Sequence, residues 1–236
     1  MIFYLIRHGE PNYELDTLTP RGWEQAEALA KRLALHGLDR IYASPLGRAQ
    51  DTAKPTAKLL GLPIETEPWT SEALAWADFG EISPEGRRRW VFFRQNSTIR
   101  TEKTRGLTMD NWFDAPEFAN IHGKEGFERI RAGADDFFAR QGYVREGESY
   151  RIVRPNEDRV ALFCHQGFSM GFLPVLLQVP PQFTFGSFDY SHTGVTIFEF
   201  RNFPDGWTQP RCLCLSDLSH LYAAGLPMRY HGMLDI

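Results

Sequence analysis

Two histidines and two arginines recur in this chain at one kind of place, just after a short apolar run. The opening reads MIFYLIRHGEPNY, where Ile2 to Ile6 give way to Arg7, His8 and Gly9. Val160-Ala161-Leu162-Phe163-Cys164 likewise runs into His165-Gln166-Gly167, and Arg40-Ile41-Tyr42-Ala43-Ser44 is followed by Pro45-Leu46-Gly47 and then Arg48. A neutral imidazole is a nucleophile, and its ordinary pKa of about 6.5 leaves that form available around neutrality. Arginine stays charged and forks two N–H donors towards phosphate oxygens. Phosphoryl transfer asks mainly for positioning and for charge stabilisation on the equatorial oxygens. Cationic neighbours also keep a nucleophilic histidine neutral. Arg7, Arg48 and His165 around His8 would therefore make a phosphate cradle without a metal, and a leaving alkoxide would need a carboxylic acid nearby. A satisfied polar pair capping a strand accounts for the first tripeptide alone; the threefold recurrence favours the cradle.

The elements that must position these residues alternate between strand and helix. Residues 1 to 6 read as a buried strand. Thr19 is a good N-cap with Pro20 at the first helical position, and Ala26, Leu29, Ala30 and Leu33 keep helical spacing until Gly37. Ser44 and Pro45 repeat the cap-plus-proline start, which puts Arg48 in a first helical turn, and Pro55 predicts a kink or re-phasing of that helix. Residues 63 to 67 read as extended. Phe127, Ile130, Ala134, Phe137 and Phe138 mark an amphipathic helix after Gly123, and 142 to 158 an exposed hairpin or loop. A strand at 160 to 164 is followed by a helix from about Phe168 to Gln178 and a late strand from Thr193 to Phe200. The alternation predicts an α/β fold, a three-layer sandwich with a largely parallel central sheet, whose ligands sit beyond the carboxyl ends of the strands. Residues 69 to 120, rich in tryptophan and phenylalanine and poor in periodicity, read as a cap-like insertion over one edge of a single domain spanning 1 to 236.

Composition narrows the function classes. The chain has 236 residues, 42% of them hydrophobic and 24% charged, with a net charge of -4, which argues against a duplex-binding surface. Three cysteines, Cys164, Cys212 and Cys214, make neither a disulfide framework nor a four-ligand zinc set and fit a reducing cytoplasm. No apolar run of membrane-spanning length and no leader pattern is visible, so the expected setting is cytoplasmic, away from membrane and nucleic acid.

Arg7-His8-Gly9-Glu10 after a first strand resembles the signature of the histidine phosphatase superfamily, whose members include the cofactor-dependent phosphoglycerate mutases. The likeness continues in Leu18-Thr19-Pro20-Arg21-Gly22-Trp23-Glu24-Gln25-Ala26, in Ser44-Pro45-Leu46-Gly47-Arg48-Ala49-Gln50-Asp51-Thr52-Ala53, in Phe163-Cys164-His165-Gln166-Gly167 and in Ser216-Asp217-Leu218-Ser219-His220-Leu221, nearly the whole chain in order. The resemblance implies a phosphoglycerate mutase-like fold and a phosphohistidine formed on His8, with Arg7, Arg48 and His165 holding the phosphoryl group. It implies Glu72 as proton donor, with Asp78 and Glu81 close behind as alternatives, and Asn12 as a residue lining the phosphate pocket. Two departures stand out. Glu72-Ala73-Leu74-Ala75-Trp76 replaces the Glu-Arg-His-Tyr-Gly of the mutases, so their extra cation is missing. Gln166 stands where many members carry glycine and becomes a further substrate-binding position on the pocket wall.

The expected activity is thus a metal-independent, histidine acid phosphatase-type hydrolysis of a small phosphomonoester, with no cofactor and with a homodimer allowed. A mutase-type phosphotransferase and a non-catalytic phosphate-binding module are the alternatives, and the module reading suffers because all four core residues are present. Other features have plainer accounts. Glu10 ties down its loop, Arg87-Arg88-Arg89 is a solvated helix face, and Cys164 is a small buried residue. The tryptophans of the insertion divide evenly between core packing and contact with a ring in the substrate. His36, His122, His192, His220 and His231 show no metal-ligand spacing, although His192 stands near the start of the late strand, within reach of the pocket.

Overall fold

The computed structural model describes the backbone of residues 1–94, 96–230 and 234–235, and the side chains of all of these but 96, 97, 234 and 235. His231 lies outside the described residues. Six strands form the central sheet: β1 (Ile2–Arg7), β2 (Arg40–Ala43), β3 (Ile64–Thr66), β4 (Arg159–Cys164), β5 (Val195–Glu199) and β6 (Arg211–Asp217), in the order β6-β5-β1-β4-β2-β3. The four strands from β1 to β3 across that order run parallel, and β5 and β6 add an antiparallel edge.

Alternation along the central strands builds three layers. Phe3, Leu5, Val160, Leu162 and Cys164 face one side, where they join the aromatic side chains of α4 (Gly123–Arg140) and α5 (Gln166–Leu177). Ile6, Ala161 and Phe163 face the other and meet Leu29 and Leu33 of α1 (Pro20–Ala34) and Ala53 and Ala57 of α2 (Gly47–Leu60). Strands covered on both faces read as nearly unbroken apolar runs, which is why β1 and β4 are plain in the sequence.

Helix starts differ from the sequence reading in two places, and the late strand begins at Val195 rather than Thr193. Thr19 caps α1 as expected, its Oγ1 accepting from the Gly22 N–H at 3.0 Å. The second helix, however, begins at Gly47 with no cap from Ser44: the carboxylate of Asp16, from a distant loop, accepts from the Gly47 N–H at 2.7 Å. Ser44 instead turns to His165. The helix carries Pro55 in its interior without interruption, its Ala49, Ala53 and Ala57 buried. The helix after β4 begins at Gln166 rather than Phe168, so Gln166 and Gly167 lie in its first turn.

The aromatic segment is built from α3 (Glu72–Phe79), a ribbon pairing Gly80–Ile82 with Arg88–Trp90, and several single turns. Phe79, Phe92, Trp112 and Phe118 are buried in the same cluster as Phe3 and Phe168, so most of its large side chains are core. Arg87-Arg88-Arg89 is no helix face. Arg88 and Arg89 stand on the ribbon, Arg89 paired with Glu81 at 3.0 Å and Arg88 lying over the Trp76 ring at 4.9 Å. Residues 143–146 and 149–152 form a hairpin, but not the exposed one expected, because Tyr143 and Tyr150 are buried in the core. Among the described residues no helix is long and apolar enough to cross a membrane.

Candidate active site

Strands β1, β2 and β4 end side by side, and their carboxyl ends deliver the chemistry. The His8 N–H donates to the Cys164 carbonyl at 2.9 Å, extending the β1–β4 ladder one step past Arg7. That bond sets His8 against His165, the residue after Cys164, with ring centroids 5.2 Å apart. The other side of β1 is held by the loop before β5, where Arg7 N–H donates to the Gly194 carbonyl and the Thr193 N–H reaches the carbonyls of Arg7 and His8.

His8 is only 1% exposed. Its Nδ1 lies 2.7 Å from the Gly9 carbonyl, a bond in which the ring donates. The lone pair is thereby placed on Nε2, which has no hydrogen-bond partner among the described residues. Burial, then the neighbouring His165 and Arg7, push its pKa well below the usual histidine range, so the ring is neutral at pH 7. His165, fully buried, is likewise held neutral by burial and by Arg48 and Arg7. Its Nε2 pairs with Ser44 Oγ at 2.7 Å.

The two guanidinium groups are fixed from behind. Arg7 Nη1 donates to the Tyr190 carbonyl, and Arg48 Nη1 donates to Asp16 Oδ1 at 2.5 Å. The Nε of each is buried and without a hydrogen-bond partner among the described residues. Glu72, the first residue of α3, completes the cluster. Its Oε1 accepts from the Gly167 N–H at 2.6 Å, and its Oε2 lies 3.4 Å from Arg48 Nη2 and 3.3 Å from His165 Nδ1. Burial raises the Glu72 pKa although Arg48 and Arg7 work against it. Such a site pairs a neutral nucleophile with fixed cations and a carboxyl biased towards its acid form, which suits attack on phosphorus with protonation of the leaving oxygen. His8, Glu72 and His165 also offer ligand atoms within 4.8 Å of one another. Arg48 already stands beside the one carboxylate of that set, which opposes a divalent cation there.

The structure thus brings Arg7, His8, Arg48, Glu72 and His165 together. The two remaining positions bond to surrounding loops: Asn12 Oδ1 accepts from the Leu15 N–H at 3.2 Å, and Gln166 Nε2 donates to Asp189. Asp78 pairs with Arg129 at 2.6 Å and Glu81 with Arg94 and Arg89, so both alternative acids are committed elsewhere. His192 reaches the site, its ring centroid 5.7 Å from that of His8. Asp16 was missed by sequence reasoning, because a lone loop aspartate has no periodicity to mark it.

A family model of the histidine phosphatase superfamily (branch 1) matches residues 3–209. A protein of Hydrogenobacter thermophilus provisionally named phosphoserine phosphatase 2 is 32% identical over 146 residues, covering 56% of this chain and 64% of its own length. A protein of Yersinia pestis provisionally named as a phosphoglycerate mutase is 38% identical over 74 residues, covering 28% of this chain and 34% of its own. These curated relatives are therefore matched over less than two thirds of their length. Among solved structures, a variant phosphoserine phosphatase of Entamoeba histolytica with phosphoserine aligns with a TM-score of 0.61 at 20% identity, over 93% of this chain and 98% of that one. That likeness is one of fold.

Proposed function

The chain belongs to the histidine phosphatase superfamily, branch 1, and from that premise we propose that it is a phosphatase acting on a small phosphomonoester through a phosphohistidine on His8. The observation that carries the reading is the unpartnered Nε2 of a buried, neutral His8, set among the buried guanidinium groups of Arg7 and Arg48. In the first step the Nε2 lone pair forms the N–P bond as the ester P–O bond breaks, and Glu72 gives its proton to the departing oxygen. In the second, water attacks phosphorus while the Glu72 carboxylate takes its proton. The P–N electron pair returns to Nε2 and inorganic phosphate is released. Arg7, Arg48 and His165 hold the phosphoryl oxygens through both steps, Asn12 and Gln166 bound the substrate pocket, and the aromatic segment at 69 to 120 caps it within a single domain.

Fixed cations take the part a metal would play, so the reaction is metal-independent in this reading. The mutase relative supports a second reading, phosphate transfer to a sugar acid primed by a bisphosphate. Against it, the residue after Glu72 is the exposed Ala73, which offers no cation for such a ligand. His8→Ala is expected to lose at least about a thousandfold of its turnover on an aryl phosphate, about 4 kcal/mol of barrier, and to trap no acid-labile phosphoenzyme. The parent is expected to keep its rate after exhaustive chelation. Activity within tenfold of the parent in His8→Ala (about 1.4 kcal/mol) rejects the nucleophile, and metal-restored activity after chelation rejects metal independence.

A further inference from the structure

Charged and titratable groups act on Glu72 from the sheet and its neighbouring helix: Arg7 and His8 from the end of β1, Arg48 from α2, and His165 and Cys164 from the end of β4. An indole also stands beside it. At Gly167, where the N–H binds Glu72 Oε1, an added methyl would collide with Cη2 and Cζ2 of Trp90 and lie 2.7 Å from Glu72 Oε1 itself. The edge of Trp90 and the carboxyl oxygen therefore share the small gap that a missing side chain leaves at the start of α5. Trp90 is itself held. Its backbone pairs with Gly80, its ring meets Trp76 edge-on at 4.5 Å and stacks on Phe92 at 5.5 Å, and Trp76 lies one helical turn beyond Glu72 on α3.

We infer that Trp90 is a positioning residue for Glu72: its indole edge closes the carboxyl off from water and presses it against the first turn of α5. This rests on the reading of Glu72 as the proton donor. The physical reason is that cations alone would leave the carboxyl ionised, whereas an apolar wall penalises the charged form and favours the acid. The catalytic demand on the insertion is then an apolar surface at one point, which the short ribbon supplies by register.

The test follows the carboxyl directly. In protein labelled with 13C at glutamate side-chain carboxyls, the Glu72 signal, assigned through Glu72→Gln, is titrated in the parent, in Trp90→Ala and in Trp90→Phe. The midpoint is expected to move to lower pH in Trp90→Ala and to stay near the parent value in Trp90→Phe, which restores an aromatic wall. In turnover, the basic limb of the pH profile should move the same way in Trp90→Ala. At neutral pH its rate on an alkyl phosphate should fall ~10-fold, with less than ~2-fold on a nitrophenyl phosphate that leaves without a proton. A midpoint unchanged in Trp90→Ala, with the fold intact by circular dichroism, overturns the inference. So does a midpoint equally displaced in Trp90→Phe. Should the chain lack phosphatase turnover altogether, the proposed function fails while a displaced midpoint still establishes the shielding of Glu72, so the two failures are distinguishable.

Discussion

In the proposed mechanism Glu72 carries the heaviest demand, since it would have to be neutral to give a proton while two guanidinium groups favour its anion. Glu72→Gln keeps the shape and removes the proton, so turnover of an alkyl phosphate should fall roughly a hundredfold or more. The loss on a nitrophenyl phosphate should be distinctly smaller; steady-state rates on both substrates check it, and equal losses would mean that Glu72 only shapes the pocket. Asp78→Asn and Glu81→Gln should show no leaving-group dependence. Burial alone would raise the Glu81 pKa, but hydrogen bonds from Arg94 and Arg89 bring it below the usual carboxylate range, the reverse of what an acid needs. Arg7, His8, Arg48 and His165 were legible because each follows a strand whose apolar run is plain, whereas Glu72, after the short Ile64-Glu65-Thr66 strand, was reached only through the resemblance. The sequence reading put Glu72 first but could not set Asp78 and Glu81 aside, since that depends on which arginines fold back onto which carboxylate.

At the scale of elements, the helix start at Gly47 is organised from outside. Asp16 adopts a left-handed backbone (φ 47°), and its carboxylate both caps the Gly47 N–H and holds Arg48. Asp16→Ala should therefore cost about 1 kcal/mol of stability, the usual worth of an N-cap. It should also raise KM more than it lowers kcat, because Arg48 keeps its charge and loses its orientation. Denaturant unfolding with steady-state kinetics checks both, and an unchanged KM would show that Arg48 is held without Asp16. Periodicity made α1, α4 and the sheet strands readable. It misplaced the start of α2, because the cap comes from a residue far away in sequence and Ser44 is drawn to His165 instead. The aromatic segment was unreadable in detail because short turns and a three-residue ribbon are too brief to show a period.

At the scale of the whole molecule, three histidines among the described residues are buried in neutral form. Burial lowers the pKa of His8 and His165 well below the usual value, and burial beside Arg32 brings His220 to about 4. The unfolded chain binds protons at these positions from about pH 6.5 downwards while the folded one resists, so the stability they contribute is present above pH 6.5 and drains as pH falls towards 4. His220 alone accounts for about 3 kcal/mol of that loss over the interval. Chemical unfolding at a series of pH values should show it, and His220→Gln should flatten part of the slope; a stability constant between pH 6.5 and 4 would refute it. One further consequence follows from the bond between the His8 N–H and the Cys164 carbonyl. The interval between the two imidazoles is set by that rung and the β1–β4 ladder behind it, not by the long stretch of chain strung between them. Three of the five clustered side chains lie at or just beyond strand ends and Arg48 in the first turn of α2, whereas Glu72 travels with the aromatic segment. Under the proposed function the molecule is divisible along this seam for an engineer: a transplanted segment with a matching apolar underside would bring its own carboxyl and its own wall to the pocket, while the strand ends kept the spacing of the two imidazoles.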